Sequence, residues 1–586
     1  LSTLNVADGR EIAQHSVSRP RPDLTAPGPR RRVGEGLLVA LIVAGGLALR
    51  LAGIGRGLPY IHEWDEWFVV PPVIKMLLFH TMNPGIFIYG SVYYYLLMPV
   101  LYAHTLFLQA HGIIKSLEDV VLAHPLIPGY GWYIDPPSFY MWARGFTALF
   151  GAATIYLTYR LGSATFGRTV GLLGAALLAA APGAVYYGDT VRVDVPEAFL
   201  TTAALLVGLA VWRRGRPREY AAAGLLMGLA VSTKQTALWL VIPLVLAHAH
   251  NTRRTKFVDA SLGLMAAGVV AGGLIGTPYL LIRPDLIRTG FTAHTDSYGL
   301  LAVPDPVAFL KRLFFNLTYL GQPVQGGDWY VVPHAGLGAL PVVAAIIGCV
   351  AGFRQNPRLQ WYLAAFPVVQ LLFLARANVF YTRNLAPVLP VAAIWAALGA
   401  VTLWQDVAAH ARENGWLPAA PWRAVASAAG VALLLLGPVQ QSTALASWLD
   451  RHEDTRTQVV RWLTGHVPRS ATVAFELEQA WYLPDLDHVP FHVEWTDLNT
   501  PVSWYTQHRI DYAAVSEWNQ VNACPTVRLF ERPSYLPTVA QEAKFVPNSY
   551  PVIDPTLVVI RPRGPCPWIG PAGWAPSAVP ARLITP

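Results

Sequence analysis

Between residues 36 and 441 the chain returns repeatedly to apolar runs, and several of the stretches between them are rich in arginine. Few features constrain a fold more. A backbone that crosses hydrocarbon must satisfy each N–H and C=O within itself, so such runs become helices. Hydrophobic residues make up 54% of the 586 and charged ones 13%, far from the balance of a soluble domain. The chain reads as a polytopic α-helical membrane protein. Runs at about 36–54, 138–158, 169–184, 195–212, 220–233, 236–250, 258–277, 332–351, 360–376, 385–404 and 424–441 predict about eleven transmembrane helices. Two of them, 220–233 and 236–250, are short for a span and meet at Ser232, Thr233, Lys234 and Gln235, which predicts a recess in the membrane.

Basic residues set the expected orientation. Residues 1–35 carry Arg19, Arg21, Arg30, Arg31 and Arg32 among prolines and glycines, so they read as a flexible basic tail and put the N-terminus in the cytoplasm. A nucleic-acid arm is the other meaning of such a tail, but no domain follows that would use it, and nucleic acid is not an expected partner. Arg160 with Arg168, Arg213 to Arg218, and Arg253 to Lys256 form three further clusters. With all three inside, 57–137 must begin and end outside, and its apolar stretch 86–109 lies on the interface. A second outer loop spans 278–331, and both loops belong to a transmembrane domain at 36–445. An odd count of crossings sends 446–586 outside. There ATVAFELE and PTLVVIRP read as strands and DTRTQVVRWLTGHVPR as a helix, predicting a small extracytoplasmic α/β domain with a proline-rich end. Cys524 and Cys566 lie in that part and can pair if it is outside the cytoplasm, whereas Cys349 reads as packing. Basic tail inside and folded end outside fit a bacterial cytoplasmic membrane.

Candidate chemistry gathers on the outer side. Asp65 and Glu66 follow the first run, set between Trp64 and Trp67; ionisable groups there need water, a partner or a substrate. GDTVRVDVPE brings Asp189, Arg192, Asp194 and Glu197, the turn after 220–233 brings Lys234, and RANVFYTRNLAP brings Tyr381 and Arg383. Asp189 and Arg192 equally suit helix-end pairing, and Lys234 equally suits snorkelling. His62 and His294 read as loop histidines that at most support an acceptor. Carboxylates and cations on one face suit a reaction in which a hydroxyl loses a proton while an anionic group leaves. No P-loop or dinucleotide fingerprint occurs in the right context, so a nucleotide cofactor is unsupported.

These residues resemble the motifs of C-type (GT-C) membrane glycosyltransferases, the superfamily of protein O-mannosyltransferases and lipid A aminoarabinose transferases. The likeness runs over about 36–445, through Asp65-Glu66, NPGIFIYGSVYYYLL, ARGFTALFGAATIYLTYRLGSATFGR, GDTVRVDVPEAFL, STKQTALWLVIPL and YTRNLAPVLPVAA in that order. It implies a GT-C fold and an inverting transfer of sugar from a polyprenyl-phosphate donor to a hydroxyl of a lipid, polysaccharide or protein. It further implies Asp65 as catalytic base, Glu66 as its support, Asp194 as a second acid shaping the acceptor side, and Lys234, Arg383 and Tyr381 as contacts to the carrier phosphate. No metal or other cofactor is expected, since a lone carboxylate pair is too few oxygens for a hard cation. Two positions depart from the usual pattern: Gly90-Ser91 stand where relatives often keep two prolines, and Asn384 stands where they often have tyrosine. A lipid-linked sugar flippase is the competing class, although no inverted repeat is visible and the polar groups sit at one face.

Overall fold

The structure is a computed structural model, and it describes residues 29–59, 61, 64–123, 132–251, 257–298, 304–319, 336–377, 379–414, 420–451, 455–476, 489–496, 502–516, 526–530, 542–544 and 557–560. His62, Cys524, Cys566, most of the N-terminal tail and the proline-rich end lie outside the described residues, as do the side chains of His294 and Tyr381.

The helices in chain order are α1 (Pro29–Leu51), α2 (Trp64–Trp67), α3 (Val70–Leu78), α4 (Val92–Ala110), α5 (Ser138–Phe166), α6 (Arg168–Ala180), α7 (Pro182–Gly188) and α8 (Asp194–Arg214). Then come α9 (Pro217–Val231), α10 (Val241–Asn251), α11 (Ala260–Gly276), α12 (Tyr279–Ile282), α13 (Pro284–Tyr298), α14 (Pro306–Tyr319), α15 (Ala339–Gln355) and α16 (Pro357–Leu374). The last four are α17 (Leu389–Glu413), α18 (Ala420–Arg451), α19 (Thr455–His466) and α20 (Val502–Gln507).

The expectation of about eleven crossings is not met. Among the described residues four helical stretches are long and apolar enough to span: Val33–Leu51, Asp194–Arg214, Arg383–Glu413 and Arg423–Ala444. A fifth is reached if α6 and α7, bent by 59° at their junction, count as one broken span. The protein is therefore a multi-pass membrane protein with four or five long apolar helices. The physical reason is that several apolar runs fold as short helices. With 15 residues in α9, 11 in α10 and 17 in α11, and a rise of about 1.5 Å per residue, none reaches the roughly 30 Å of a hydrocarbon core. Helix α5 is long, but it carries Arg144, Thr147, Thr154 and Thr158 into the interior.

Small residues let these helices approach closely. A Cβ on Gly224 would lie 2.0 Å from the Met265 carbonyl oxygen, and one on Gly272 would lie 2.4 Å from that of Leu225, so α9 and α11 touch backbone to backbone. The main core lies among α5, α6, α8, α9, α16 and α17, with Ile155, Leu178, Leu205, Tyr362, Phe366 and Ile394 buried in it. A second core unites α3, α4 and the start of α5 through Val73, Tyr93, Leu97 and Phe139.

The loop leading into α4 is pinned on the turn after α9. Val92 N–H donates to the Ser232 carbonyl at 3.1 Å, Ser91 N–H to Thr277 Oγ1 at 3.1 Å, and Gln235 Nε2 to the Ile88 carbonyl at 3.1 Å. A Cβ on Gly90 would fall 2.0 Å from the Ser232 oxygen, so any side chain there would have to displace that carbonyl. Gly90→Ala is expected to lower stability by about 1–3 kcal/mol, the range for forcing atoms into a packed contact. Thermal unfolding in lipid checks this; an unchanged midpoint would mean the contact is not made.

Beyond α18 the chain forms an open sheet of β4 (Thr472–Glu476), β5 (His492–Thr496), β6 (Tyr512–Ser516), β7 (Thr526–Phe530) and β9 (Leu557–Ile560), in the order β5-β4-β6-β9-β7. Strands β5 and β6 run parallel to β4, while β9 is antiparallel to β6 and β7. Helix α19 packs Val459, Val460 and Leu463 against Val473 and Phe475, the helical period facing alternate strand positions. Two-stranded pairs join β1 (Val121–Ala123) to β2 (Trp132–Ile134), and β3 (Val379–Tyr381) to β8 (Glu542–Lys544). The second pair ties the late part of the chain to the strand that leads into Arg383.

Candidate active site

The first turn of α8, the loop before it, α2, the turn after α9 and the 3₁₀ segment Thr382–Val388 meet at one end of the bundle. The opposite end of α8 carries Arg213 and Arg214 in its last turn, with Asp194 and Glu197 in its first. Both placements suit the helix dipole.

Asp65 is buried, and three side chains from three elements converge on it. Arg192 Nη1 donates to Asp65 Oδ2 at 2.5 Å, Arg383 Nε lies 3.3 Å from the same oxygen, and the Tyr89 hydroxyl approaches Oδ1 at 3.4 Å. Arg192 is oriented in turn: its Nε donates to Thr190 Oγ1 at 2.9 Å, and its guanidinium lies 5.4 Å from the Tyr187 ring centroid.

Glu66 points elsewhere. Its carboxylate takes a two-pronged bond from Arg144, Nε and Nη2 each at 2.7 Å, and Oε1 also accepts the Val191 N–H at 3.0 Å. Arg144 Nη1 reaches the carbonyls of Ile54 and Arg56 at 2.9 and 2.8 Å. Both side chains are fully buried. This cluster fastens α2, the loop after α1, α5 and the loop before α8 to one another, directly behind Asp65.

Asp194 and Lys234 form a second buried pair: Lys234 Nζ bonds Asp194 Oδ1, and also donates to Asn384 Oδ1 at 2.6 Å. Asn384 thus has a task at the position where relatives often have tyrosine. Its carbonyl accepts from Gln370 Nε2 at 3.2 Å. Asp189 pairs with Arg56 at 3.4 Å, and Arg56 lies 4.9 Å from the Tyr186 ring centroid.

Six of the residues singled out in sequence therefore converge: Asp65, Arg192 and Arg383 in one triangle, Asp194 and Lys234 in the adjoining pair, and Glu66 in the support behind Asp65. Asp189 stands beside them with Arg56. Glu197 and Asn384, also named in sequence, adjoin the Asp194–Lys234 pair, and three others escape the sequence reading: Tyr89, Arg144 and Gln370. The sequence holds a usable signal for two of them, since Arg144 and Gln370 each interrupt an apolar run and a polar group in such a run needs a partner or a function. Among the described residues no group of three or more His, Cys, Asp and Glu side chains is arranged to hold a metal ion.

The fold is of the C-type glycosyltransferase kind. A family model described as dolichyl-phosphate-mannose-protein mannosyltransferase matches residues 141–275, the part that supplies Arg144, Arg192, Asp194 and Lys234. Among solved structures, ArnT from Cupriavidus metallidurans in the apo state is similar over 90% of this chain and 98% of that one, at 15% identity and a TM-score of 0.50. The Archaeoglobus fulgidus oligosaccharyltransferase tethered to an acceptor peptide aligns over 83% of this chain and 69% of that one, at 12% identity and a TM-score of 0.49. No curated protein sequence matches the chain.

Proposed function

We propose that the protein is an inverting glycosyltransferase that moves a sugar from a polyprenyl-phosphate donor to an acceptor hydroxyl at the outer face of a membrane. The observation that carries this reading is the buried triangle of Asp65, Arg192 and Arg383 beside the Asp194–Lys234 pair. A base and several cations are held there by separate elements of a C-type fold. The ArnT of Cupriavidus metallidurans has also been captured bound to undecaprenyl phosphate.

In this reading Asp65 is the base. Its Oδ2 is occupied by two arginines, so Oδ1, under the longer Tyr89 contact, takes the acceptor proton. The acceptor oxygen forms its bond to the anomeric carbon as the carbon–phosphate oxygen bond breaks, and the phosphate keeps the electron pair. Lys234 and Arg383 meet the charge that develops on that phosphate. The ammonium of Lys234 has three N–H donors, two of them on Asp194 and Asn384. Asp194 shapes the acceptor side and holds Lys234 in place. No metal or other cofactor is part of the proposal; the acceptor is a lipid, polysaccharide or protein hydroxyl, in a bacterial cytoplasmic membrane.

The experiment is transfer by purified protein in lipid, using labelled polyprenyl-phosphate sugars and envelope acceptors, with and without chelator. Transfer is expected and is expected to survive chelation. Lys234→Met is expected to weaken binding of the carrier phosphate by about 10–100-fold, the range for losing a charge-assisted bond. Failure to bind or consume any donor would end the assignment, and lipid translocation without transfer would replace it with a flippase.

A further inference from the structure

The buried side-chain oxygens beside the site that lack a hydrogen-bond partner share one chemical property. Asp194 Oδ2, Glu197 Oε2 and Gln370 Oε1 can only accept a bond from a donor unless a carboxyl is protonated, and their residues are 1%, 0% and 0% exposed. Asp194 and Gln370 belong to one hydrogen-bonded chain, and Glu197 stands next to it. Thr236 donates to Glu197 Oε1 at 2.5 Å, Lys234 joins Asp194 to Asn384, and Gln370 donates to the Asn384 carbonyl at 3.2 Å. Asp194 and Glu197 lie one turn apart at the start of α8, and Glu197 is within electrostatic reach of both Asp194 and Lys234. Gln235 adds a further unpartnered oxygen, Oε1, while its Nε2 is held by the Ile88 carbonyl.

Native interiors rarely leave such atoms unmatched, and each exception calls for an explanation. Among the described residues such atoms occur in several places, but these carboxylate and amide oxygens stand together beside the groups assigned to the carrier phosphate. A ligand that matches them must bring O–H or N–H donors. An acceptor-only group such as a carboxylate would leave them unmatched.

We propose that Glu197, Gln370 and the unpartnered oxygen of Asp194 form the sugar subsite, a wall of acceptors that selects a neutral or amino sugar by its donors and turns away a sugar bearing a carboxylate. This deepens the transfer reading and rests on it. Recognition and rejection have the same source: acceptors without donors gain from hydroxyl or ammonium groups, and the carboxylate of a uronate, which can only accept, leaves them unmatched. Glu197 is a specificity-determining residue in this scheme, and Thr236 is the positioning residue that aims it.

The test is equilibrium binding to the full chain in nanodiscs. The probes are bare polyprenyl phosphate and the same carrier bearing a hexose, an amino hexose or a hexuronate. Wild type is expected to bind the hexose or amino-hexose carrier more tightly than the bare one, and the hexuronate carrier no more tightly. A preference for the amine assigns the donor as ammonium, and parity assigns it as hydroxyl; both support the subsite. Glu197→Gln and Gln370→Leu are expected to keep the affinity for bare carrier while losing about tenfold of the gain from the sugar. Glu197→Gln should also admit the hexuronate. Should Glu197→Gln fail to fold, Gln370→Leu and Thr236→Val carry the test. Bare carrier bound normally with the full sugar gain retained in the folded variants overturns the subsite alone. If wild type does not bind even the bare carrier, the transfer reading falls and the subsite falls with it.

Discussion

Asp65→Asn is expected to lower sugar transfer by about 10²–10⁴-fold, the contribution of a positioned general base, while the protein still folds and binds its carrier. Asparagine keeps the shape of the side chain, so the Tyr89 and Arg192 contacts retain a partner, but the anion is gone. That loss has a second consequence. Arg383 lies 3.3 Å from Asp65 Oδ2, and with its carboxylate neutralised its charge becomes more available to a phosphate. Carrier affinity should therefore hold or rise as turnover collapses. The split between binding and rate separates a missing base from a damaged site, because damage would lower both. Single-turnover transfer and carrier binding on the same preparation provide the check. Transfer at the wild-type rate would remove Asp65 from the chemistry.

The second large effect is one of stability. Arg144→Met is expected to destabilise the protein by about 3–5 kcal/mol, the range for stranding one member of a buried ion pair. It leaves Glu66 fully buried beside the Val191 N–H, with both arginine bonds gone, and it also removes the bonds to the Ile54 and Arg56 carbonyls. Glu66→Gln combined with Arg144→Met should recover part of the loss, since no buried charge is then left alone. Thermal unfolding of the single and double variants in lipid measures this. If Glu66→Gln alone suppressed turnover with an unchanged melting temperature, Glu66 would belong to the chemistry and not to the support.

The two predictions mark how far residue patterns carry. Asp65 and Glu66 are neighbours of the same type in the same loop, and nothing local separates their tasks. Only the arrival of Arg192 and Arg383 on one and of Arg144 on the other does so, Arg192 from 127 positions away and Arg144 from 78. Lys234 was legible as a polar tip between short helices, and its bond to Asn384, 150 residues away, was not. The number of spans was misjudged for a related reason. Hydropathy measures how apolar a run is, whereas helix length depends on where a break falls, as at the 59° bend between α6 and α7.

By itself the sequence determined that this chain is a multi-pass helical membrane protein with short strands and a helix late in the chain, and that ionisable residues cluster between its apolar runs. Those properties follow from composition and period, which act locally and need no partner. The tertiary structure decided which carboxylate faces two arginines, which one is locked behind the site, and where acceptors are left without donors. Pairing among buried charges is a matter of which elements meet in space, and a pair in a medium of low dielectric is far stronger than one in water. The roles of Asp65, Glu66, Asp194 and Glu197 therefore diverge through their neighbours, although their side chains share the same acidic chemistry.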